Sequence, residues 1–239
     1  MLAACTQHDP NNGLQEEFYP NGIIKSTFTL KNGLRNGTVK YFDTKGRLLS
    51  KAEYKDNLKN GELINYNSEN GKMILKAHFK EDIQHGKVIQ YYREGMLFRE
   101  SNYVNGRVEG LVKTYWPKGN LKAENFFHQG KPAIGLKEFD KESNLINQPQ
   151  LMVRKSNARK FGIEIQLSSD VDEVEYYINE LEEGKYFHPK SKRLRTEGSK
   201  AYYDYSVIKN SYQIKKISII AKAKTKYGNT LILQKYFNI

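Results

Sequence analysis

Cysteine is almost missing: Cys5 is the only one in 239 residues. A single thiol excludes an internal disulfide framework and a cysteine-based zinc cluster. Histidine is scarce as well, and His8, His78, His85, His128 and His188 stand in no metal-ligating spacing. His78, next to Phe79, reads as a surface or rim histidine. No run of 18 or more apolar residues occurs, so no helix of bilayer length is encoded. Nucleophile-elbow, phosphate-loop and dinucleotide fingerprints are all missing. Glu182 and Glu183 are adjacent in an acidic turn, not on separated strands as a glycoside-cleaving pair would be. No catalytic residue, metal site or cofactor is expected, and an enzyme is not the expected class.

Glycine, by contrast, is regular. Gly22, Gly46, Gly71, Gly95 and Gly119 recur at spacings of 24, 25, 24 and 24. A second set, Gly37, Gly61, Gly86 and Gly110, follows the first four by 15 residues each time. A tandem unit of this length cannot bury its own apolar face and must stack on its neighbours. Two residues after each first-set glycine stands Ile24, Leu48, Met73, Leu97 or Leu121, and eight after it Leu30, Tyr54, Phe79, Tyr103 or Phe127. The even offset puts both on one strand face, with Ala52, Ala77 and Ser101 between them. After each second-set glycine come Val39, Leu63, Val88 or Val112, then Phe42, Tyr66, Tyr91 or Tyr115. Their odd offset means opposite faces, or one face if a bulge intervenes.

The unit therefore reads as two short strands with glycine turns, placed at Asn21-Gly22, Asn36-Gly37, Asn60-Gly61, Asn70-Gly71 and Asn105-Gly106. The extra residue of the long spacing falls in the loop Asn67-Ser68-Glu69-Asn70, where insertion costs little. An elongated antiparallel sheet of successive hairpins is expected. The strings YFDTKGRLLSKAEYKDNLKNGELINY and YYREGMLFRESNYVNGRVEGLVKTYW resemble the variant MORN repeat over roughly residues 16–140. That resemblance implies an interaction module; relatives include antitoxin-labelled proteins and surface proteins. The last unit departs from it, with Gly135 16 residues after Gly119 and Lys137 in place of Val or Leu. A polar terminal repeat is what capping a stack requires.

Beyond Gln148-Pro149-Gln150 the pattern changes to alternating strands at residues 161–167, 174–178, 201–208, 217–223 and 230–237, the last two joined at Tyr227-Gly228-Asn229. A small β-sandwich is expected. VDEVEYYINE and IIAKAKTKYGNT resemble strands of bacterial immunoglobulin-like domains, which implies that Ala221 and Ala223 face the gap between two sheets. The fold class is thus all-β: residues 1–15 a tether, 16–146 the repeat sheet, and 150–239 an immunoglobulin-like β-sandwich.

Leu2-Ala3-Ala4-Cys5 resembles the lipobox of bacterial lipoproteins, with Cys5 as the lipid-bearing residue and a polar tether over residues 6–15. Only four residues precede Cys5, short of the basic and apolar segments of a secretory signal. The expected place is the bacterial cell envelope, lipid-anchored at the outer membrane or cell surface; the alternative is cytoplasmic.

Net charge is +12, and residues 1–149 hold 22 basic and 17 acidic side chains against 17 and 10 in residues 150–239. Lys190, Lys192, Arg193 and Arg195 form a candidate basic patch within residues 185–200, either a site for phosphate, anionic lipid or an acidic partner or a solvated loop. Tyr41, Tyr92 and Trp116 flank the regular ring of their strand. They form a candidate binding surface on the opposite, exposed face, or cross-strand ladders that only hold the sheet. The expected activity is non-catalytic binding of a protein or glycan, with membrane contact by lipid anchor alone and nucleic acid not the expected partner. Alternatives are a cytosolic antitoxin bound to a toxin, and anionic lipid or nucleic-acid binding through the basic surface.

Overall fold

Two kinds of turn alternate along the first part of the chain, and together they make ribbons. A computed structural model describes residues 9–157, 161–169, 171, 173–206 and 216–239. Cys5 and the rest of the lipobox-like start lie outside the described residues, as does the end of the strand expected at 201–208. Among the described residues no helix is long and apolar enough to cross a membrane.

The chain divides into two compact units, residues 1–108 with 113–120, and residues 109–112 with 121–239. The first holds β1 (Gly13–Phe18), β2 (Ile24–Lys31), β3 (Leu34–Arg35), β4 (Gly37–Phe42), β5 (Leu48–Lys55), β6 (Leu58–Tyr66), β7 (Met73–Lys80), β8 (Ile83–Gln84), β9 (Gly86–Tyr91), β10 (Leu97–Val104) and most of β11 (Arg107–Tyr115). These form an antiparallel sheet in the order β1-β2-β4-β5-β6-β7-β9-β10-β11, with β3 and β8 pairing off it on β2 and β7.

At one end of the ribbons a first-set glycine closes each turn: Gly22 N donates to the Tyr19 carbonyl at 2.9 Å, and Gly95 N to that of Tyr92 at 2.8 Å. At the other end the chain reverses in two residues, at Asn32-Gly33, Asp56-Asn57, Glu81-Asp82 and Asn105-Gly106, every one with positive φ. That is the type I′ geometry, whose twist suits a hairpin. Asn36-Gly37 and Asn60-Gly61, expected as reversals, are instead bulges inside the ribbon. Asn36 N still donates to Thr29, across the ribbon, and the β5–β6 register shifts between Ala52 and Tyr54. Gly61 shows why this position is glycine: its φ is +127°, and an added Cβ would lie 2.8 Å from Glu53 Cβ.

The second unit contains β12 (Leu121–His128), β13 (Lys131–Pro132) and β14 (Lys137–Glu138), then β15 (Leu151–Lys155), β16 (Gly162–Leu167), β17 (Glu173–Ile178), β18 (Lys192–Arg193), β19 (Thr196–Glu197), β20 (Lys200–Asp204), β21 (Lys216–Lys224) and β22 (Thr230–Asn238). β12 pairs with β13 and β14. The later strands make two four-stranded sheets, β15-β16-β20-β19 and β18-β17-β21-β22. Ile163, Ile165 and Ala201 from one, and Tyr176, Ile217, Ile219 and Ala221 from the other, fill one buried cluster. A residue such as Ile219, fully buried, contributes roughly 1.5–3 kcal/mol by leaving water.

The end of the repeat is not a solvent-facing polar cap. Ala123 and Leu136 are buried in one cluster with Ala223 and Leu231. Glu138 is 2% exposed. Its carboxylate accepts hydrogen bonds from Thr225 Oγ1 and Asn229 Nδ2, both 2.6 Å, and from Gln148 Nε2 at 3.2 Å. A buried carboxylate satisfied by three neutral donors locks the last repeat to the β21–β22 turn.

Candidate binding surfaces

One face of the first unit carries a row of rings. In the cross-strand register Tyr54 stands opposite Gly37, Phe79 opposite Gly61, and Tyr103 opposite Gly86. The bulge glycines thus leave room for the rings of neighbouring strands, a role that sequence spacing alone did not assign. In the first ribbon Leu30 holds this position, and Phe28 adds a ring on the same face at the level of Ala52; Phe28 and the three rings of the row are all half-buried. Beside them runs a central row that is small and buried, Val39, Ala52, Ala77, Val88 and Ser101, with Ser26 buried opposite Tyr41 one same-face position away. Small side chains here let the sheet pack closely while the rings keep one side in solvent. Two cations lean over the rings, Arg35 at 4.8 Å from the Phe28 centroid and Lys59 at 5.6 Å from that of Phe79. Burial, and then the neighbouring Tyr41, hold the Tyr54 hydroxyl above its ordinary range.

Tyr41, Tyr92 and Trp116 do not share an opposite face. Tyr41 lies across from Ser26 and Ser50, two residues from buried Val39 and so on the ringed side. Arg35 Nη1 donates to its hydroxyl at 3.4 Å. Tyr92 and Trp116 instead open glycine-closed turns: Tyr92 N donates to Met96 O at 2.7 Å and Trp116 N to Asn120 O at 2.8 Å. Bulges between the regular positions shift the register, so odd and even offsets no longer keep to fixed faces. Tyr92 Oη donates to the Tyr115 carbonyl at 2.7 Å, as Tyr19 Oη does to Phe42 at 2.8 Å. These tyrosines are straps from one repeat to the next. Tyr92 also packs on Phe98, 5.0 Å between centroids.

The basic patch separates into a neutralised part and a free part. Arg193 Nη1 meets Glu175 Oε1 at 2.9 Å, while the other carboxylate oxygen meets Lys222 at 3.4 Å and accepts from Tyr177 Oη at 2.9 Å. Burial works against the Glu175 charge, but Tyr177, Lys222 and Arg193 outweigh it and keep its pKa low. Burial together with that carboxylate pushes Tyr177 up to about 12. Lys190, Lys192 and Arg195 are exposed and pair with no carboxylate among the described residues.

The described residues contain no group of three or more His, Cys, Asp or Glu side chains able to hold a metal ion. A close histidine–carboxylate pair, His128 Nδ1 and Glu109 Oε1 at 2.8 Å, is accompanied by Tyr186, whose ring lies 5.0 Å from the imidazole. The Lys131–Glu182 ion pair ties β13 to the loop that carries Tyr186.

Residues 11–32, 35–56, 84–105 and 108–129 match the family model described as MORN repeat variant. Those four segments are similar to that repeat. Each matched segment holds a ribbon of two strands, β1–β2, β4–β5, β9–β10 and β11–β12; the ribbon β6–β7, with the extra residue before Gly71, lies between matched segments. No curated protein matches the chain. Among solved structures, a Ca2+-stabilized adhesin that helps an Antarctic bacterium reach out and bind ice is similar at 9% identity and a TM-score of 0.24, covering 95% of this chain and 69% of that one. A score that low carries no weight for fold or role.

Proposed function

We propose that the chain is a non-catalytic binding protein that presents the ringed face of its MORN-variant repeats to a protein or glycan. The observation that carries this reading is the row Tyr54, Phe79 and Tyr103, three half-exposed rings at one repeat position, with Phe28 half-exposed on the same face; Phe28 and Phe79 lie under cations. Flat aromatic area is cheap to desolvate and loses little rotamer freedom on binding, which suits both protein contacts and the faces of sugar rings. The test places a photoreactive side chain at Leu30, on the ringed face, or at Thr38, on the other face. Cross-linking from Leu30 that is abolished by Tyr54→Ser with Tyr103→Ser supports the reading; cross-linking from Leu30 that survives both substitutions sinks it.

The second unit is read as immunoglobulin-like. Lettering β15 to β22 as A, B, C, C′, D, E, F and G turns the two sheets into A-B-E-D and C′-C-F-G, the strand arrangement of that fold. Such a module suits a spacer or adhesive role at a cell surface. A lipid anchor at Cys5 in a bacterial envelope completes the proposal, supported by the Leu2-Ala3-Ala4-Cys5 string and its polar tether. Release of the protein from membranes on Cys5→Ser is the expected result, and unchanged fractionation would remove the anchor from the reading.

A further inference from the structure

The side of the first unit turned away from the rings carries its own repeated pattern. Thr27, Lys40, Lys51, Ile64, Lys76 and Ile89 are successive cross-strand partners. Lys40 and Lys51 stand directly opposite each other, an arrangement that costs stability. Nearer the two-residue turns Lys31 pairs with Leu34, Lys55 with Leu58 and Lys80 with Ile83. The three lysines are exposed, and so are the aliphatic partners at 39%, 41% and 51%.

Carboxylates do not balance this face. Lys76 is paired with Glu62, and Glu53 is held by Thr38 Oγ1 at 2.6 Å. Lys51 also acts on the Glu62 charge, while Lys31, Lys40, Lys55 and Lys80 have no carboxylate partner among the described residues. Of the turn acids, Asp56 accepts from Asn36 Nδ2 at 3.2 Å and Asp82 from Lys59 N at 2.8 Å, each bound to the preceding hairpin; Glu81 sits in its turn. A local rule broken without compensation is expected where a surface is built for a partner.

The spacing limits what that partner can be. Lys31, Lys55 and Lys80 are each two ribbon strands apart in the sheet, about 9.5 Å for neighbours at 4.7–4.9 Å. A polyproline II helix advances roughly 9.3 Å per turn of three residues, so every third side chain returns to the same side. In an extended strand every third side chain alternates faces. An α-helix needs about six residues to cover that length and has not completed a whole number of turns.

We infer that this comb of lysine and aliphatic pairs docks an acidic peptide segment in the polyproline II conformation, with a carboxylate at every third residue. The segment lies across the hairpins. Its carboxylates meet Lys31, Lys55 and Lys80 in turn, and its apolar positions rest on Leu34, Leu58 and Ile83. A helix of this kind is stiff before it binds, so little ordering entropy opposes docking. The surface is distinct from the ringed face and does not depend on it.

The experiment titrates the full chain with a labelled synthetic peptide of repeated Glu-Pro-Pro, following fluorescence anisotropy. A peptide of the same composition with its glutamates grouped at one end, and a short polyphosphate, are the competitors. The regular peptide is expected to bind in a salt-sensitive manner. Lys31→Gln, Lys55→Gln and Lys80→Gln together weaken it roughly tenfold, as expected of three exposed ion pairs. Tyr54→Ser with Tyr103→Ser leaves it unchanged, which separates this surface from the ringed one. Circular dichroism of the lysine variant confirms that its strands persist. No binding of the regular peptide, equal binding of the grouped one, or equal competition by polyphosphate would each overturn the proposal.

Discussion

The two units of this chain solve the same problem with different side chains. The second buries large ones outright: Tyr176, Ile163, Ile165, Ile219, Ile220 and Ile232 are all closed to solvent. The first hides small ones, Ser26, Val39, Ala52 and Ala77, along the middle of a sheet. A two-sheet core gains stability from area removed from water. A single sheet of ribbons has little such area, so its order depends on each repeat gripping the next. That grip is visible in the straps from Tyr19 to Phe42 and from Tyr92 to Tyr115. Along the turns Asn21 and Asn70 side chains donate to the carbonyls of Thr44 and Arg93. The repeat unit is thus stabilised in many small steps, the sandwich in a few large ones.

The sharpest way to break that contrast is to empty the sandwich core. Ile219→Ala, between the sheets, should cost about 2–5 kcal/mol, as large-to-small core changes do. Hydrogen exchange should show lost protection in β16, β17, β21 and β22 with β4 to β7 unaffected. Equal loss in both units would mean that they unfold together. Next in size is Gly61→Ala. With φ at +127° and Glu53 Cβ in the way, this change should cost roughly 1–3 kcal/mol and loosen amides of β5 and β6 first. A substitution at Gly110 (φ 78°), whose added Cβ meets nothing within 4 Å, should cost less. Smaller again is Tyr92→Phe, which keeps the packing on Phe98 and loses one strap. About 1 kcal/mol is expected from a single hydrogen bond, read as faster exchange around the Tyr92–Met96 turn.

The ribbon architecture was legible because it is local. Glycine recurring with Asn marks positive φ, and β-branched and aromatic residues at even offsets mark a strand face. The turn positions were only half legible. Asp56-Asn57 and Glu81-Asp82 reverse the chain without glycine, and a pair of non-glycine residues in the left-handed region is a weaker signal. Nearby Asn60-Gly61, the stronger string, marks a bulge instead. Such bulges also undid the parity argument for Tyr41, Tyr92 and Trp116, since a register shift moves later residues to a new face. Glu138 left no trace at all in local sequence. Its partners Thr225 and Asn229 are 87 and 91 residues away, and only the folded chain brings them together.

The smallest expected effect concerns pH, and it separates the units once more. The Glu109 carboxylate holds His128 above its ordinary 6.5 by accepting a hydrogen bond from it. Gln129 N and then His128 hold Glu109 below its ordinary value. A raised histidine stabilises the folded state fully below 6.5 and loses that stabilisation as pH climbs through the raised folded value. The lowered carboxylate contributes above its ordinary value and fades as pH falls through the depressed one. The pair is therefore intact between those two limits and weakens on the alkaline side first. Thermal unfolding of the second unit should show a small decline from mildly acidic to alkaline pH, and His128→Gln should flatten it. In the first unit His78 stands 4.0 Å from Glu62, whose nearer partner is Lys76. A profile left unchanged by His128→Gln would show that the His128–Glu109 pair does not govern the pH dependence of the second unit.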